Sequence, residues 1–210
     1  MTYSDGRAVP TTLEGINQDL SRIGAGVWPL DLKSQPADIR ALLAKCHLDE
    51  AESKRVKDHF LFPMDRLLEI IANAGRSPQI PGGGALSTFV TNHGYGYPQL
   101  YQVEDGIDYS RFDRFHVNIA PKGEGVDEVF QMLSGSGFVI HQRLDDGETL
   151  TLKLSCPNTG QGWLGTYSGV RPHIGSVSSA AVGSKFLVQV IGAPKWNLQY
   201  VDAAGNPIPE

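Results

Sequence analysis

The chain has 210 residues, 40% of them hydrophobic and 20% charged, a globular balance that excludes wholesale disorder and fits one domain or one domain with an extension. Its 18 basic and 23 acidic side chains leave a net charge of −5, the wrong sign for a general nucleic-acid or membrane-surface binder. No apolar run reaches the ~20 residues of a membrane span, the first residues lack a secretory layout, and Cys46 and Cys156 form no C-x-x-C pair, so the expectation is a cytoplasmic protein with reduced, mostly buried thiols.

The first third reads as helical. Thr12 is placed to cap a helix with Leu13, Ile16, Leu20 and Ile23 on one face, and Gly24 and Gly26 stop it. Ser34 is a candidate cap for a second helix, with Pro36 in its first turn and Ile39, Leu42, Leu43 and Cys46 along its inner stripe. A third helical stretch starts near Asp49 and is charged through Lys57. Pro63 divides it, and Met64, Leu67, Leu68 and Ile71 carry the apolar face on to Gly75. Residues 76–84, rich in proline and glycine, read as a connector.

Beyond the connector the period changes to two. Segments 87–91, 100–103, 112–119, 128–133, 138–144, 149–154, 174–178, 186–191 and 198–201 read as strands. Ser134-Gly135-Ser136-Gly137 and Asp145-Asp146-Gly147 read as tight turns. Short strands with no interleaved helices indicate an antiparallel sandwich or barrel over 81–210, with 1–80 as a helical N-terminal extension packed on it.

Histidines are the informative side chains. His47 and His59 read as solvated surface residues. His93 lies in a glycine-aromatic loop and is a candidate for the mouth of a pocket. His116 differs because it falls inside a strand, where period two puts it on one face with Asn118 and sends Phe115, Val117 and Ile119 to the other. Polar side chains turned into a β core need hydrogen bonds or a metal. Glu128 leads the next strand, and His173 stands at the start of a later one, after Gly169-Val170-Arg171-Pro172. Two imidazoles, a carboxylate and an amide form a mixed N/O donor set suited to Fe(II), Mn(II), Ni(II) or Zn(II). The alternative is a buried polar cluster with no ion.

The region 112–192 resembles the cupin superfamily, a double-stranded β-helix of jelly-roll type. The resemblance rests on His116 and Asn118 in the place of a His-x-His pair, on Glu128, on Leu133-Ser134-Gly135-Ser136-Gly137, and on Gly169-Val170-Arg171-Pro172-His173. It implies a mainly β, cupin-like fold and one divalent metal held by His116, Glu128 and His173, with Asn118 in the slot of the second histidine. The His-x-Asn form is similar to that of some ring-cleaving hydroquinone dioxygenases. The segment between Asn118 and Glu128 is longer than the family's usual spacing, which leaves Glu124 as a competing carboxylate.

Other residues complete the expected site. His141 and Tyr167 are candidates for proton handling. Trp163 and Tyr167 lie in a turn-rich segment, 155–167, read as a loop roofing the barrel mouth, where aromatic rings would form an apolar wall for a small flat substrate. Arg171 is a candidate partner for a substrate carboxylate or phenolate. The leading reading is an Fe(II) dioxygenase acting on a small, possibly aromatic molecule. A metal-dependent lyase or isomerase and a non-catalytic binding module are the alternatives. A homodimer paired through edge strands is expected.

Overall fold

In a computed structural model of the chain, the described residues are 1–92, 114–156, 160–177, 184–202 and 204–209, with only the backbone described at 88–92 and 176–177. His93 and the expected strand at 100–103 lie outside them.

Helix α1, Leu13–Ser21, begins at Thr12, whose hydroxyl accepts from the Gly15 amide and so occupies one of the N–H groups a helix start leaves open. Helix α2, Ala37–Ala44, follows Pro36 and has no side-chain cap; the Ser34 amide is turned to the Asp31 carboxylate instead. Because α2 ends at Ala44, Cys46 falls beyond its inner stripe and is exposed, whereas Cys156 is buried. Helix α3, Glu50–Phe60, is started by a reciprocal capping box between Asp49 and Glu52. Pro63 then separates it from α4, Met64–Asn73, which buries Leu67, Ile70 and Ile71. No helix among the described residues is long and apolar enough to cross a membrane.

Among the described residues ten strands form the β body: β1 Thr2–Tyr3, β2 Gly26–Asp31, β3 Ala85–Asn92, β4 His116–Ile119, β5 Val126–Arg143, β6 Thr149–Cys156, β7 Gln161–Ser168, β8 His173–Val177, β9 Lys185–Gly192 and β10 Asn197–Tyr200. One layer runs β2-β7-β5-β9-β3 and the other β1-β6-β5-β8-β4-β10, with every pairing antiparallel. This is a mainly antiparallel, cupin-like β fold with four helices ahead of most of it. Two strands, β1 and β2, come from the segment read as helical and pair with β6 and β7.

Two corrections concern glycine. Ser134-Gly135-Ser136-Gly137 is not a turn. Strand β5 runs through it, pairing with β7 and β9 up to Ser134 and with β6 and β8 beyond, so one strand serves both layers. The register shifts between Met132 and Ser134 and again between Ser136 and Phe138, irregularities of the kind that bend a strand. Gly135 sits there at φ 83°, and a Cβ on it would lie 2.1 Å from the Ser184 hydroxyl. The segment read as a roofing loop is also largely strand: β7 lies between β2 and β5, and the small Gly162 and Gly165 let its neighbours come close.

The inward faces of the two layers meet in a cluster that includes Phe130, Met132, Phe138, Ile140, Leu150, Leu152, Leu154, Tyr167 and Phe186. Helices cover the outer face of the first layer. There α2 and α3 pack on Leu133 and Leu187, and α4 on Val129, Leu164 and Ile191. Polar side chains rising from the same face pin the helical layer. Lys185 Nζ donates to the Leu43 and Lys45 carbonyls, Gln189 bonds both the amide and the carbonyl of Phe62 at 2.9 Å, and Gln131 donates to the Phe60 carbonyl at 2.7 Å. Burial lowers the Lys185 ammonium to about 8. The connector is held by Arg76, which donates to the Gly24 carbonyl and the Thr166 hydroxyl and pairs with the buried Asp127.

Candidate metal centre

Strand alternation and register assemble one polar cluster at an end of the β core. On β4, His116 and Asn118 point inward, each 1% exposed. Across from His116, in register, stands His173 of β8, also 1% exposed, with the two ring centroids 4.3 Å apart. Opposed residues of an antiparallel pair share a face, so both rings enter the core. Glu128 reaches the same place from the first half of β5, and Tyr167 from β7, its register partner. The turn before β5 leaves Glu124 exposed and away from this cluster, its carbonyl accepting from the Ala120 amide.

Hydrogen bonds fix the rings. Nδ1 of His116 lies 2.7 Å from the Arg114 carbonyl, and Nδ1 of His173 lies 2.7 Å from the Arg171 carbonyl. A carbonyl only accepts, so each Nδ1 carries a proton, and each ring turns Nε2 toward the interior. Burial, and then the neighbouring His173, push the His116 imidazole down to about 3, so at neutral pH its Nε2 keeps a lone pair. The Glu128 carboxylate accepts from the Asn118 amide at Oε1 and from the Tyr167 hydroxyl at Oε2, each at 2.7 Å. Burial alone would raise this acid, but the hydrogen bond and charge of His173 and the Tyr167 hydroxyl outweigh burial and hold it at about 2. The Tyr167 hydroxyl is driven the opposite way, upward, by burial and by the Glu128 charge.

The donor chemistry can be tested against a divalent ion. His173 Nε2 and Glu128 Oε1 face each other at 3.3 Å. With Nδ1 protonated, a neutral His173 and the carboxylate would present two lone pairs to one another. A positive charge belongs between them, either a proton or a cation. Asn118 Oδ1 is buried and has no hydrogen-bond partner among the described residues. Two inward imidazoles, one carboxylate and one open amide oxygen fit a borderline metal in ligand type. The arrangement in hand is nonetheless a hydrogen-bonded one, and among the described residues no three His, Cys, Asp or Glu side chains are drawn together as a metal-holding group.

Of the other expected site residues, Tyr167 joins the cluster, His93 lies outside the described residues, and His141, Trp163 and Arg171 are placed elsewhere. His141 lies on the opposite face of β5, where its Nδ1 meets the Thr151 hydroxyl at 2.8 Å. Trp163 packs against the main core cluster, and its indole N–H donates to the Ser155 carbonyl. The Arg171 guanidinium is turned to the β5–β6 turn, donating to the Arg143 carbonyl and pairing with Asp145 at 2.8 Å. Arg171 serves the cluster through its backbone, as the carbonyl that orients His173. One residue was passed over in the sequence: Gln142, which is 2% exposed, lies opposite His173 in register. The signal for it was parity, because Glu128, Phe130, Met132, Phe138, Ile140 and Gln142 all carry even numbers along one strand.

No protein-family model and no curated protein sequence matches the chain. Solved structures do match. An acireductone dioxygenase from Bacillus anthracis, with a cadmium ion in its active center, aligns with a TM-score of 0.58 at 14% identity, over 100% of this chain and 98% of the other. The 4-keto-6-deoxy sugar epimerase NovW from Streptomyces spheroides aligns at 0.33 and 14% identity, over 67% and 59% of the two chains. A non-heme monooxygenase, ThoJ in complex with nickel, aligns at 0.32 and 12% identity, over 92% and 87%. The first likeness runs the length of both chains, and what it shows is a shared architecture, the cupin-type β fold.

Proposed function

We propose that this chain is a metal-dependent cupin enzyme of the oxygenase type, in which His116, Glu128 and His173 hold one divalent ion and Asn118 adds its amide oxygen. The observation that carries the reading is the meeting of His173 Nε2 and Glu128 Oε1 at 3.3 Å, beside the inward His116 ring, with both imidazoles locked in the tautomer that ligation needs. Two histidines and one carboxylate would leave open positions on a bound ion, and the chemistry that Fe(II) would supply in such a set is the activation of dioxygen. The full-length likeness to a dioxygenase that carries a cadmium ion is in keeping with this. The chain's own residues supply the setting. Tyr167 holds one oxygen of Glu128 by a hydrogen bond and so fixes the plane of the carboxylate, while the carbonyls of Arg114 and Arg171 fix the rings.

A second reading, a metal-free binding pocket, is favoured by one observation: the Glu128 carboxylate already accepts hydrogen bonds at both oxygens. Elemental analysis of protein expressed with iron, manganese, nickel and zinc supplied separates the two. The expected result is close to one equivalent of metal, lost in His116→Ala and His173→Ala while circular dichroism stays unchanged. Folded wild-type protein with no bound metal overturns the first reading. Turnover that persists under strict anaerobiosis overturns the oxygenase assignment alone.

A further inference from the structure

Gln142 is buried beside the cluster, and neither its amide nitrogen nor its amide oxygen makes a hydrogen bond among the described residues. An amide buried without partners costs free energy that an apolar side chain would not, so its retention inside a core calls for a use. Its position supplies one. Register sets His116 opposite His173 and His173 opposite Gln142, so the amide stands next to the His173 ring on the cluster's side of the sheet. Two residues back along β5, Ile140 lies opposite Gly175. Gly175 contributes no side chain to that inward face, and among the described residues a Cβ built there would fit without a clash, in van der Waals contact with the Tyr167 hydroxyl at 4.0 Å. An unpaired donor and an unpaired acceptor therefore stand next to the room that the missing side chain of Gly175 leaves at the edge of the cluster.

We propose that Gln142 recognises a small hydroxy-carbonyl compound bound in this space, its Nε2 donating to the carbonyl oxygen and its Oε1 accepting from a hydroxyl on the neighbouring carbon. The surroundings select this class over a simple carboxylate. The cluster is rich in acceptors, with the Glu128 carboxylate and the open Asn118 oxygen on one side. A ligand here has to bring hydroxyl hydrogens, and a second anion would meet the charge of Glu128. The inference rests on the proposed function only in taking this cluster as the working site; it does not require the metal.

The test uses the full chain, metal-free and zinc-loaded, with hydroxyacetone as the probe and acetone, which lacks the hydroxyl, as the control. Titrations followed by NMR shifts are expected to show hydroxyacetone bound at least tenfold more tightly than acetone, and Gln142→Met is expected to abolish that preference. Unliganded Gln142→Met is expected to melt above wild type, since the variant no longer buries an unpaired amide, and to take up zinc with unchanged stoichiometry. Equal binding of the probe by wild type and Gln142→Met, no binding by wild type, or a lower melting temperature in the variant overturns the proposal. Wild type that binds hydroxyacetone but no metal would defeat the metal reading and leave this one standing. Wild type that binds zinc but not hydroxyacetone would do the reverse.

Discussion

Glu128 shows how one side chain is made into a fixed anion. It is 8% exposed, and burial by itself favours its neutral form. The hydrogen bond and charge of His173, and then the hydrogen bond from Tyr167, reverse that preference. Tyr167→Phe removes one of these donors and leaves Oε2 buried without it. The expected cost is about 1–3 kcal/mol of stability, read as a lower urea midpoint with an unchanged slope. The two thiols differ for the same reason of environment. Burial raises Cys156 to about 12, while Cys46 is exposed. A thiol reagent at pH 8 is expected to label one cysteine of the native protein quickly and the second only on unfolding; rapid reaction of both would contradict the burial of Cys156.

At the scale of elements, β5 governs the site. Gly135 combines a left-handed backbone with a Cβ position occupied by Ser184, so Gly135→Ala is expected to be strongly destabilising, beyond the roughly 1–2 kcal/mol of the backbone conformation alone. Gly123 has a similar φ of 84° but open space around it, and Gly123→Ala is expected to cost only that backbone term, with thermal melts of the two variants as the comparison. The same strand explains what the sequence hid. Alternation alone put His116 and Asn118 on one face, and the structure has them there. Reading Gly135 and Gly137 as a turn cuts β5 in two and breaks the count of parity, which leaves no basis for placing Gln142, and not His141, on the inward face. The bend contains two register irregularities, at 132–134 and 136–138, and the even-numbered residues face inward again beyond it. The strand β7 was missed because its glycines mimic a loop, although they serve close packing between β2 and β5. Cross-strand register, which brings His173 to His116, is a tertiary property that no local pattern carries.

At the scale of the molecule, the helical layer is joined to the sheet by buried polar pegs as well as by apolar contact. Lys185 is the most demanding of them, because its ammonium is lowered from 10.5 to about 8 while it donates to the end of α2. Between about 8 and 10.5 the unfolded chain holds this proton and the folded chain has released it, so the unfolded state binds more protons and stability rises with pH across that window. Below about 8 both states are charged and the slope vanishes. Wild type minus Lys185→Met, compared by urea unfolding from pH 7 to 10.5, is expected to show this rise; a flat difference would mean that the ammonium is not perturbed.

A body whose two layers are drawn from one ribbon links the geometry of the cluster between them to the curvature of that ribbon. Glu128 rides on one arm of β5 and Gln142 on the other, with the irregular stretch 132–138 as the elbow between them. Changes at the elbow would shift the acid relative to the amide without altering any residue of the cluster. Under the proposed function, altered selectivity can therefore arise at a distance, and a search for variants that retune the cluster belongs at 132–138 as much as at the cluster itself.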